Sequence, residues 1–132
     1  MPRLTLFLAR LIGLFCVLLV GALLVRGSTA VAAAVADGPV MLTYGMISLA
    51  VGVAMVLGHN VWSGGALPVA VTLVGWLILA KGLLLLLLPP DTLVRLLDQI
   101  RYGGHFDFYL APALVIGLYL LWAARPGATR RP

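Results

Sequence analysis

Few side chains in this sequence could move a proton, bind a metal or hold an anion. They are His59, His105, Cys16, Lys81 and the four aspartates Asp37, Asp91, Asp98 and Asp107; there is no glutamate. Lys81 is the one charge deep in an apolar block. A charge inside a membrane is costly, and two roles fit it: a ligand or ion-pathway site, or a snorkelling lysine that lifts its ammonium to the headgroups. His59, Asn60 and Trp62 form a compact polar–aromatic turn. Such a turn suits a headgroup, cofactor or partner contact. It equally suits a helix end, where Gly58 or Asn60 takes the left-handed conformation, His59 bonds the last carbonyls and Trp62 anchors at the interface. His105 and Asp107 stand beside Phe106, Phe108 and Tyr109. A His–Asp neighbourhood suits acid–base work or metal binding, and Asp107 near a helix start is also favoured by the helix dipole. Trp76 lies in the middle of an apolar block, where its indole N–H needs a hydroxyl or carbonyl on a neighbouring helix. That places it inside a bundle.

The sequence has no phosphate-binding glycine loop, dinucleotide fingerprint, paired cysteines, zinc-binding His-Glu-x-x-His or nucleophile elbow. No intramembrane carboxylate offers a proton relay. No catalytic residue, metal-ligand set or cofactor is expected. Cys16 has no second cysteine with which to form an internal disulfide.

The elements that must position these groups are read from the apolar pattern. The chain is 63% hydrophobic and 10% charged, against about half and a quarter in a soluble domain. Apolar residues fill four blocks, at 4–25, 39–57, 67–88 and 106–124. Each is close to the ~20 residues that cross a bilayer as a helix. Barrel strands would be about half as long and would alternate. A helix also satisfies its own backbone in lipid. The fold class is therefore all-α: a polytopic membrane protein with four transmembrane helices in a bundle, one membrane domain over 1–132. Between the third and fourth blocks, Leu93, Leu96, Leu97 and Ile100 recur at helical spacing, while Arg95, Asp98, Gln99 and Arg101 fall mostly elsewhere. That predicts a short amphipathic helix over 92–101 in the outer interface, capped by Asp91 or Thr92 and ended by Gly103-Gly104. Residues 28–38 either extend the first helix or lie at the surface, and residues 58–66 read as a tight glycine-rich turn.

Small residues mark where helices approach. Ala50, Ala54 and Gly58 recur at four-residue spacing with Ser48 and Gly52 alongside, Gly75 and Gly82 lie a heptad apart, and Ala113 precedes Gly117 by four. Such spacing lets backbones come close, here within one bundle or between copies in an oligomer; packing within one bundle is the expectation.

Arginines orient the spans. Arg3, Arg10, Arg125, Arg130 and Arg131 share one side, and Arg26, Arg95 and Arg101 the other. Five against three places both termini in the cytoplasm. The net charge of +5 then reads as topology and attraction to anionic lipid, with no nucleic-acid partner. Trp62 and Trp122 fall at the same boundary, as an aromatic belt requires. Arg3 and Arg10, the first apolar run and residues 32–36 also resemble a secretory leader with a small-residue cleavage site. The long run, and an alanine stretch that starts well past its end, favour retention as a span. His59 and His105 come out at opposite ends of a hydrocarbon core of about 30 Å, too far apart to share a metal or haem.

The segment Gly58-His59-Asn60-Val61-Trp62-Ser63-Gly64, with Gly75-Trp76 and Lys81-Gly82 beyond it, resembles a group of short bacterial membrane proteins. In that group an H-N-x-W turn precedes a helix carrying G-W and then K-G. The resemblance covers about the middle third of the chain, implies a multi-span bacterial inner-membrane protein, and implies no activity. It draws attention to His59, Asn60, Trp62, Trp76 and Lys81. The expected function is a non-enzymatic accessory, assembly or interaction component whose partners are the bilayer, another membrane protein or a second copy of itself. The alternatives are a small homo-oligomeric transporter or channel with Lys81 lining an anion path, and a membrane enzyme acting on lipid or quinone through His59 or His105.

Overall fold

The computed structural model describes residues 3–100 and 104–126. Arg101, Gly103, Arg130 and Arg131, which entered the expected helix end and charge balance, lie outside the described residues. Among the described residues there are six helices: α1 (Arg3–Arg26), α2 (Ser28–Ala36), α3 (Gly38–Gly58), α4 (Ala66–Leu87), α5 (Pro90–Gln99) and α6 (Phe106–Ala123). There is no strand among the described residues. Helices α1, α3, α4 and α6 are long and apolar enough to cross a membrane, and their bounds fall within one residue of the four apolar blocks. Large apolar side chains such as Phe7, Phe15, Leu18 and Leu77 stand more than half exposed around them. A water-facing surface of that kind is untenable over so large an area, whereas acyl chains solvate it. The chain is a multi-pass membrane protein.

The spans pack as two pairs. Helix α3 lies along α4, and α1, the first span, lies along α6, the last. The pairs meet through a cluster of Ala9 and Ile12 from α1, Met55 from α3, Leu67 and Val71 from α4, and Leu120 with Ala124 at the end of α6. This cluster sits toward the end of the bundle that holds both chain termini, called here the terminal end. At the far end Val20 of α1 packs on Phe106 and Leu110 of α6, with Val31 of α2 against them. There α2 also packs on α5.

Glycines set the closeness of both pairs. An added Cβ on Gly52 would stand 2.5 Å from the Leu79 Cα, and one on Gly82 2.5 Å from the Leu49 amide nitrogen. Gly75 meets Met55, and Gly45 meets Leu86. In the other pair Gly13 and Gly117 face each other, each within about 3 Å of the partner's carbonyl oxygen once a Cβ is added. Ala113 packs beside the far-end cluster. Ala50 and Ala54 do not join the seam. Both are exposed, and a Cβ on Gly58 would meet nothing within 4 Å. The reason is phase: the buried face of α3 runs Met41, Gly45, Ser48, Gly52, Met55, and a step of two residues turns a helix by about 200°. Ala50 and Ala54 therefore lie opposite Gly52.

Local chemistry ends the helices. Gly27 separates α2 from α1 with φ 80° and ψ 169°, a region that is essentially glycine's alone. Residues 28–36 are thus a helix of their own and not a continuation of α1. Gly27→Ala is expected to cost about 2 kcal/mol from this strain, read as a shift of the unfolding midpoint in detergent titration; an unchanged midpoint would show that α2 is free to reorient. Asp37 caps α3 by accepting from the Val40 amide at 3.0 Å. Helix α5 starts earlier than its expected caps: Pro90 is its first residue, and the amides of Thr92 and Leu93 donate to the Pro89 carbonyl. Pro89, not Asp91 or Thr92, holds the cap position with no side-chain bond, because proline at the first helical position is already set in helical φ. Asp91 occupies the first turn, where the dipole favours it.

Candidate functional site

Helix α3 stops at Gly58, and residues 59–65 run unwound to the start of α4. They do not make a simple tight turn. The Val61 amide donates to the Thr72 hydroxyl at 3.0 Å, and Thr72 lies six residues inside α4, about 9 Å from its start. The unwound segment therefore lies along the first two turns of α4. Gly64 and Gly65, with φ of 89° and 120°, reverse it into the helix.

Unwound backbone at membrane depth needs partners from the protein, and Thr72 supplies them. Its hydroxyl stands 2.9 Å from the Val61 carbonyl, 3.0 Å from the Pro68 carbonyl and 3.4 Å from the His59 carbonyl. It has one hydrogen to give among these acceptors. His59 Nδ1 also stands 3.3 Å from this hydroxyl. On the other side of the ring, Nε2 stands 2.9 Å from the Thr5 hydroxyl, so each ring nitrogen faces a threonine hydroxyl. Thr5, His59 and Thr72 are all buried. They come from α1, the end of α3 and α4, so the chain Thr5–His59–Thr72 ties the α3–α4 hairpin to the α1–α6 pair.

A second set of bonds lies beside it. Asn60 Oδ1 accepts from the Trp62 indole at 2.7 Å and from the Trp76 indole at 3.5 Å. Trp76 is 43% exposed, so it is not the bundle-interior residue that its place in the apolar block suggested. Its N–H partner is a side-chain amide on the unwound segment, not a group on a neighbouring helix. Arg10 donates through Nε and Nη2 to the Ala124 carbonyl, at 3.2 and 3.0 Å. A cation at this carbonyl satisfies a helix C-terminus and complements its dipole. It fastens α1 to the end of α6.

Lys81 occupies another station. Its Nζ donates to the Tyr44 hydroxyl at 2.8 Å and stands 4.7 Å from the centre of that ring. Both residues are exposed. The seam of the hairpin gives the direction of the lysine stem. Gly82 faces Leu49 and Gly52 faces Leu79, so the Lys81 backbone is level with Ala50. Tyr44 lies six residues nearer the start of α3, about 9 Å toward the far end. The stem climbs toward the headgroups and is held at a phenol on the way. Among the described residues no carboxylate pairs with Lys81; Asp91, Asp98 and Asp107 are exposed at the far end.

His105 precedes α6 at its cap position without a side-chain capping bond, and Asp107 lies in the first turn; both are exposed. Phe106 packs on Val20, far along α1, whereas His59 meets Thr5 near its start. The two histidines thus stand at opposite ends of the bundle. Among the described residues no three His, Cys, Asp or Glu side chains gather as metal ligands.

Thr5, Thr72, Tyr44 and the Arg10–Ala124 bond went unremarked in the sequence. A lone hydroxyl in an apolar block is common, and its partner is visible only once helices are paired.

These features define a four-span α-helical membrane protein with a buried hydrogen-bonded knot near its terminal end and a lysine–tyrosine pair nearer the far end. Comparison with protein-family models, curated proteins and solved structures finds no match to this chain.

Proposed function

We propose that this chain is a non-enzymatic accessory or assembly component of a bacterial inner membrane, with both termini cytoplasmic. One observation carries the reading. The polar groups near the terminal end are engaged in bonds that fix the bundle's shape: Thr5, His59 and Thr72 with one another, Asn60 with two indoles, and Arg10 with Ala124. A group locked in this way serves architecture, and the apolar exterior is what the molecule presents to its neighbours. The arginine balance supports the orientation. Association with another membrane protein, or with a second copy, then rests on packing between helices and not on a reaction.

The test is purification of the tagged chain from its native membrane in a mild detergent, with mass measurement of the intact particle. A constant-ratio assembly with one defined polypeptide, or with itself, is expected. A chain that elutes alone in every mild detergent sinks the reading. Labelling of tags at both ends from the cytoplasmic side only is expected for the orientation, and a labelled end on the outside overturns it.

A further inference from the structure

The Lys81–Tyr44 pair has donor capacity that the chain does not use. An ammonium has three N–H groups, and Tyr44 takes one. Because the phenol oxygen accepts from Lys81, its own O–H is directed elsewhere, and no acceptor for it occurs among the described residues. Two N–H groups and one O–H are thus left without a partner in neighbouring, exposed side chains. The Tyr44 ring, 4.7 Å from Nζ, lies within cation–π range and restrains the ammonium there. Charge-assisted donors gathered in this way suit a phosphate oxygen.

The surroundings select the phosphate's carrier. Leu77 and Leu84 lie about one turn to either side of Lys81 on α4, and Val40 and Ile47 do the same for Tyr44 on α3; all four are exposed. A hydrated inorganic anion gains nothing from these apolar flanks. A lipid gains on both counts, with its phosphate at the donors and its chains along the leucines. The lysine stem, rising toward the far-end headgroups, brings the charge to the layer where such phosphates lie.

We propose that Lys81 and Tyr44 bind the phosphate of an anionic phospholipid in the far-end leaflet, its acyl chains lying along the exposed flanks of α3 and α4. The site is independent of the accessory role proposed above and stands or falls without it.

The protein is reconstituted in nanodiscs of phosphatidylcholine doped with phosphatidylglycerol, and the lipid it retains is counted by native mass spectrometry. Wild type is expected to retain phosphatidylglycerol in preference. Lys81→Met should cut that preference about fivefold, the worth of one cation at an anionic lipid surface. Tyr44→Phe should cut it about two- to threefold, the worth of one modest hydrogen bond, and Lys81→Arg should keep it. Excess inorganic phosphate should leave the retained lipid in place. Equal preference in wild type and Lys81→Met overturns the site, and displacement by inorganic phosphate assigns it to a free anion and overturns the lipid. Lys81→Met removes a charge from an apolar span, so its fold is not at risk from the substitution, and Tyr44→Phe gives a second reading that keeps the lysine.

Discussion

Gly52→Ala is expected to destabilise the bundle by about 2–3 kcal/mol, the upper part of the range for overpacking in a close-packed interior. The new methyl would stand 2.5 Å from both the Cα and the amide nitrogen of Leu79. Backbone atoms cannot rotate aside as a side chain can. The only relief is to move α3 away from α4, and that weakens dispersion contacts along the whole seam. Gly82→Ala should behave alike, since its neighbours at 2.5 and 2.8 Å are the Leu49 backbone. Gly45→Ala should cost less, because the atoms it meets at 3.1 Å belong to the Leu86 side chain. Gly21→Ala is the counterpart, for a Cβ there meets nothing within 4 Å. It should be neutral or stabilise α1 by up to about 1 kcal/mol through helix propensity. Unfolding by detergent titration in bicelles measures all four. If Gly52→Ala proves as harmless as Gly21→Ala, the two helices are not in backbone contact and the seam is misplaced.

The second large effect concerns His59. Interhelical hydrogen bonds in membranes average about 0.6 kcal/mol, so the bonds to Thr5 and Thr72 together account for roughly 1 kcal/mol. Packing adds more. The residue is 4% exposed, and emptying a site of that burial typically costs at least about 2 kcal/mol. His59→Ala should therefore lose about 3 kcal/mol. Thr5→Val, which removes one bond and keeps the volume, should lose about 0.6 kcal/mol. The ratio of the two is the informative quantity. Near-equal losses would mean that the ring is not packed where three elements meet.

The bounds of the spans were legible because about 20 consecutive apolar residues have one economical use. The amphipathic α5 was legible too, but it begins before the expected residue 92, because Pro90, preset in helical φ, takes the first helical position. Pairing was not legible. Small-residue spacing marks Gly52 and Ala54 alike, and only the phase of the whole face, Met41 to Met55, separates the buried one from the exposed one. The same limit hid the partners of His59. Thr5 and Thr72 lie 54 and 13 residues away from it, and no local pattern links them. The position of Trp76 misled because depth along α4 says nothing of the unwound segment 59–65, whose Asn60 meets its indole.

The pairing of first span with last bears on how the protein is made. During synthesis the α3–α4 hairpin can close as soon as Leu87 has left the ribosome. Helix α1 has no such neighbour at hand, because its main packing partner is α6. Some 80 residues separate Arg26 from Phe106, and at 5–20 residues per second that is a delay of roughly 4–16 s. Over that interval the Gly13 face of α1 lies open to the insertion machinery, to chaperones or to foreign helices, and the last span to emerge closes it.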